Sequence, residues 1–169
     1  MRPQVLPERP VSIPLSAAER AWTRLLRAHA ATARELSATL QAEHRLSLND
    51  YEALDLLARA EGRRLRRVDL ARRLALTPSG VTRLLEGLEE EGLVARASCP
   101  ADLRVTYAEL TDAGAGRLEA ASCGHVGAIR ALLEEHLSEP EIEELAELLG
   151  RLPSVVDGED CAVAPRGFG

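Results

Sequence analysis

Ser79, Thr82 and Arg83 share one side of a segment whose other side carries Val81, Leu84, Leu85 and Leu88. The apolar set recurs at i, i+3, i+4 and i+7, the repeat of a helix with one buried stripe. Two small hydroxyls and a guanidinium near a helix N-terminus can approach base edges in a major groove. The same N-terminus attracts phosphate. Thr77 supplies the cap and joins this polar set, and Pro78 takes the first helical position, where its missing N–H does no harm. An ordinary amphipathic surface helix would show the same pattern, so the helix needs its surroundings to be interpreted.

Downstream, Ser98-Cys99-Pro100-Ala101-Asp102-Leu103-Arg104 forms a turn-rich polar tip between two strand-like runs, 93–97 and 105–110. Arg104 on such a hairpin can enter an AT-rich minor groove, where the negative potential is deepest, and Asp102 can pair with it or cap the turn. A solvated surface pair worth little is the plain alternative. Cys99 lies on the same tip near Arg96 and Arg104, so its thiol is a candidate redox centre. An inert small residue on a hairpin is the competing interpretation.

These residues must be held by helices. Residues 1–14 are proline-rich and read as a flexible arm. Ser16, with Glu19 three residues on, caps a helix over 15–44 that is too long for one small core, so part of it is expected to pack on a second subunit. Ser47 opens a helix with Tyr51, Leu54, Leu57 and Ala58 on its apolar side, ended by Gly62. A short helix follows over 68–74, and the helix capped by Thr77 runs to about Glu91 and stops at Gly92. Thr111 caps a helix over 112–137, and Ser138 with Glu141 caps another over 139–152. The stretch 153–169 reads as a flexible tail. The fold class is mainly α with a small β-hairpin wing, a winged helix-turn-helix with long N- and C-terminal dimerisation helices.

A net charge of −6 is unexpected for a DNA binder, but residues 63–104 hold nine arginines against six acids. Screening confines such interactions to about 8–10 Å, so a locally basic segment can meet phosphate inside an acidic chain. All 21 basic residues are arginine, so any phosphate grip by the lobe falls to guanidinium groups such as those of Arg63, Arg64, Arg66 and Arg67. The three cysteines have no paired spacing, and the four histidines avoid the i, i+4 spacing of a metal pair. Neither a metal nor a cofactor is expected. Cys123, among Ala and Gly, reads as a packing residue. The start of the chain lacks an apolar run, and no stretch is long enough to span a membrane, so a cytoplasmic location is expected.

Leu70-Ala71-Arg72-Arg73-Leu74, then Pro78-Ser79-Gly80-Val81-Thr82-Arg83-Leu84-Leu85, then Leu88-Glu89-Glu90-Glu91-Gly92-Leu93-Val94, and finally Asp102-Leu103-Arg104 with Leu110-Thr111-Asp112-Ala113-Gly114 resemble the MarR family of bacterial regulators. The resemblance covers about residues 15–152, with Asp-x-Arg followed by Leu-Thr-x-x-Gly as its most specific part. It implies a winged helix-turn-helix lobe over 47–110, dimerisation helices over 15–44 and 112–152, and a triangular homodimer on a palindromic double-stranded DNA operator. It also implies repression relieved by a small anionic or phenolic effector between the lobes. By position, Arg66, Thr77, Ser79, Thr82 and Arg83 are the expected DNA contacts, with Asp102 and Arg104 on the wing. Trp22 and His29 are the candidate ligand-binding residues, although core or dimer packing would use an indole equally well.

Two other classes compete. An enzyme would need a nucleophile elbow, a phosphate-cradling loop or a carboxylate pair, and the chain carries none of these motifs. A winged-helix protein-interaction module, an antirepressor or scaffold without DNA binding, is kept in view by the acidic net charge.

Overall fold

The computed structural model describes residues 15–98 and 105–152. Asp102, Arg104 and Cys99, together with the arm 1–14 and the tail 153–169, lie outside the described residues.

Local chemistry sets the helix starts. Helix α1 (Ala17–His44) opens with a reciprocal cap: Glu19 N–H donates to Ser16 Oγ at 3.2 Å, and Ser16 N–H donates to Glu19 Oε2 at 2.8 Å. That hydrogen bonding holds the Glu19 carboxyl below its ordinary pKa. Ser47 and Asp50 repeat the motif at α2 (Leu48–Arg59). Helix α3 (Arg67–Arg73) is short, and α4 (Pro78–Glu90) begins with Thr77 Oγ1 accepting from Gly80 N–H at 3.1 Å. Helices α5 (Asp112–Glu134) and α6 (Glu139–Gly150) are the last elements among the described residues, and both N–H and Oγ of Ser138 donate to Glu141 Oε2 at the junction between them.

The sequence predicts a two-stranded hairpin, whereas the sheet has three strands. β2 (Val94–Ser98) and β3 (Thr106–Leu110) form the hairpin, and β1 (Arg64–Arg66) pairs antiparallel with the free edge of β3, giving the order β1-β3-β2. The missed strand is hidden in what reads as a charge run. Leu65 turns in to pack on the core while Arg64 and Arg66 turn out, a period-two alternation only three residues long. Helix α2 ends at Arg59, earlier than expected, because a 3₁₀ turn over Glu61–Arg63 intervenes, with Gly62 at φ 63°. Helix α5 stops at Glu134, three residues short of the expectation, where the chain turns toward the Ser138 cap.

The core lies in the lobe formed by α2, α3, α4 and the sheet, closed by the C-terminal end of α1 and the first half of α5. Leu40, Leu46, Leu54, Leu57, Leu70 and Leu85 are its largest fully buried side chains. Ala53, rather than the expected Ala58, completes the buried side of α2. Leu40 is the one buried residue of α1, and α6 buries none. Cys123 is exposed, which corrects the expectation that it packs: it falls between the buried positions Ala121 and His125 on α5. No helix among the described residues is long and apolar enough to cross a membrane.

Candidate nucleic-acid interface

Helix α4 is seated by its apolar stripe. Val81, Leu85 and Leu88 are buried in the lobe, and Leu84 packs against the same cluster. The opposite face presents Ser79, Arg83 and Glu86, all exposed, at i, i+4 and i+7. No carboxylate among the described residues lies within ion-pair distance of Arg83, so its guanidinium donors are available to a ligand. Thr82, half-buried, donates its hydroxyl to Pro78 O at 2.8 Å, which orients Oγ1 as an acceptor. Thr77 and Ser79 have their hydroxyl oxygens 3.2 Å apart, so the capping residue also positions Ser79. The structure therefore groups Thr77, Ser79, Thr82 and Arg83 at one end of α4.

Arg66 is not on this helix. It lies on the outer edge of β1, its Nε donating to Asp69 Oδ2 at 2.8 Å, and Arg72 approaches the other oxygen of the same carboxylate at 4.0 Å. Asp69 thus spreads two guanidinium groups at the start and end of α3. The Arg64 guanidinium carbon lies over the Tyr107 ring, 5.4 Å from its centre, a cation–π contact. Arg63 reaches Asp112 Oδ1 at 3.3 Å. The basic run is fastened to the wing base, with its charge facing outward.

Helix α4 and the β2–β3 hairpin join the rest of the chain at Thr111 and Gly114. Thr111 Oγ1 accepts from Gly114 N–H at 3.0 Å and donates to Gly92 O at 2.8 Å. Gly92 takes φ 71°, the left-handed turn that leads out of α4 toward β2. Gly114 has an ordinary φ; it is glycine because a Cβ there would run into the carbonyl oxygen of Leu93 and the side chain of Leu110.

Trp22 and His29 both line an apolar groove of about 740 Å³ between α1, the end of α5 and α6, walled by Leu25, Leu133, Leu145 and Leu149. Trp22 is 61% exposed in the single chain. On α2, burial raises the Glu52 carboxyl above its ordinary pKa, an effect that the neighbouring His29 partly offsets. Further along the seam between α2 and α5, the buried His125 ring packs on Tyr51 with centroids 4.3 Å apart, and burial lowers its pKa.

A family model described as the MarR family matches residues 46–104. Among solved structures, a MarR family transcriptional regulator from Streptomyces coelicolor, Sco3205, crystallised in complex with DNA, superposes with a TM-score of 0.74 at 30% identity, covering 84% of this chain and 89% of that one. This chain belongs to the MarR family. A second MarR family regulator from the same organism, AbsC, superposes with a TM-score of 0.72 at 29% identity, over 82% of this chain and 93% of that one. The HTH-type transcriptional repressor YetL of Bacillus subtilis is 36% identical over 107 residues, which are 63% of this chain and 64% of YetL.

Proposed function

We propose that the protein is a homodimeric repressor that reads an inverted-repeat DNA operator and releases it on binding a small effector. The free face of α4 carries this reading. Ser79 and Arg83 are exposed and Thr82 is half-buried, on a helix anchored by three buried aliphatic side chains. Such a face offers donors and acceptors to base edges at fixed geometry. That Sco3205 crystallised with DNA supports the same role for this chain. The second copy is proposed to cover the α1–α6 groove, which places Trp22 in dimer packing. An anionic or phenolic effector is placed at the seam near His29 and Glu52, where a molecule can change the separation of the two lobes. By linkage, DNA then weakens effector binding by the same factor as effector weakens DNA binding. Arg104 is proposed as the minor-groove arginine of the wing, with Asp102 bracing it.

The test is a mobility shift on a duplex selected by the protein from random DNA. The affinity should fall steeply with salt, because arginines displace counterions from phosphates. Arg83→Ala is expected to lose about 1–3 kcal/mol, roughly 5- to 150-fold, with the greatest loss at a site containing guanine, whose two acceptors match the guanidinium fork. Arg104→Ala should lose a similar amount and relax the preference for AT pairs in the flanks. A protein-interaction module would give no salt-dependent shift, and both variants would then match the wild type.

A further inference from the structure

We propose that Arg117 is a positioning residue that sets the tilt of the recognition helix against the dimer helices, and thereby the half-site spacing the protein accepts. This inference rests on the DNA-binding reading above. Arg117 lies in the second turn of α5. Its Nη1 donates to the backbone carbonyl of His44 at 2.9 Å and lies 3.6 Å from Glu91 Oε2. His44 is the last residue of α1, and Glu91 is the C-cap of α4. One guanidinium therefore joins the ends of α1 and α4 to the body of α5.

Both ends are C-termini, where carbonyls lack intrahelical partners and the helix dipole favours a cation. The Arg117 side chain is 33% exposed, so solvent screens it less than the other arginines that form ion pairs among the described residues. The same Nη1 atom faces both groups, hydrogen-bonded to the carbonyl and within ion-pair distance of the carboxylate. Thr111 and Gly114 fasten the chain just beyond α4, at Gly92 and Leu93. Arg117 adds a tie of a different kind, since it joins the end of α4 to the end of α1 as well as to α5.

The geometry amplifies small tilts. Ser79 stands about 18 Å along the axis from Glu91, at 1.5 Å per residue. Because Val81, Leu85 and Leu88 fix α4 in its lobe, the lobe tilts as a unit, and a tilt of about 10° about the Glu91 end moves the reading residues about 3 Å, close to the ~3.4 Å step between base pairs. Loosening the tie should therefore blur which spacing fits and leave the chemistry of each half-site intact.

The experiment uses full-length protein and a duplex selected by the wild type from random DNA. Derivatives of that duplex have the half-sites moved by one or two base pairs in either direction, and one carries a single half-site. The wild type is expected to prefer its own spacing by about tenfold or more over a one-base-pair shift. Arg117→Met should narrow that preference to about threefold or less while keeping single-half-site affinity within about twofold. Arg117→Lys should fall between them, and Glu91→Ala, which removes only the carboxylate arm, should flatten the profile partly. Circular dichroism and a cooperative melt establish that each variant is folded. If Arg117→Met fails to fold, Glu91→Ala decides the matter: an unchanged spacing profile overturns the proposal. So does a folded Arg117→Met protein with the wild-type profile, or one that loses half-site and full-site affinity in equal proportion. Those results leave the DNA-binding reading standing. A wild type that selects no inverted repeat removes both.

Discussion

Leu148→Glu is expected to break the proposed homodimer. The single chain leaves Trp22, Leu26, Leu145, Leu148 and Leu149 at least a third exposed, and all but Leu26 line the groove between α1 and α6. That much apolar surface on one side is the mark of an interface. Burying a leucine contributes about 1.5–3 kcal/mol, and a two-fold interface contains each position twice. A carboxylate in that place loses this contribution and adds a desolvation penalty. The dimer dissociation constant should rise by at least two to four orders of magnitude, an order-of-magnitude figure from two leucine burials. Sedimentation velocity at low micromolar concentration measures it. A variant that remains dimeric there would show that another face carries the association. The same variant should bind a single half-site but lose the gain from a second one.

Gly114→Ala is expected to be among the most destabilising single-methyl additions in the lobe. The added Cβ meets the Leu93 carbonyl, a backbone atom that cannot swing aside, and it would sit 2.8 Å from Leu110 Cδ1. Relief requires the start of α5 to lift from β2, which strains the Thr111 bonds to Gly114 and Gly92. Overpacking of this kind costs about 1–3 kcal/mol. Denaturant unfolding at matched protein concentration reads the loss, the matching being needed because dimer stability depends on concentration. Gly87→Ala is the control: nothing lies within 4 Å of a Cβ there, so it should be neutral or slightly stabilising as a helix substitution. Equal stability of Gly114→Ala and wild type would refute the close-approach account of the Leu-Thr-x-x-Gly motif.

Much of this architecture is legible in the sequence because its signals are local. The caps at Ser16, Ser47, Thr77, Thr111 and Ser138 each lie within three residues of the groups they bind. The recognition face is legible for the same reason, since the spacing of Val81, Leu85 and Leu88 determines which way Ser79 and Arg83 point. What escapes is long in range or short in length. Strand β1 has three residues and exists because β3, about 40 residues later, offers an edge. The Arg117 tie joins positions 44, 91 and 117, and no periodicity connects them. Gly114 is visible as part of a motif, but its reason, the passing carbonyl of Leu93, is tertiary.

Two copies of α4 are proposed to read one face of a duplex as a two-fold pair. Hydroxyl-radical footprinting of the wild-type protein on a duplex it has selected tests this most directly, with stoichiometry measured on the same complex. The account predicts two protected half-sites related by a dyad, their centres about one helical turn apart, roughly 34–36 Å, with one dimer bound. Direct repeats, a lone half-site, or one monomer per site would contradict it.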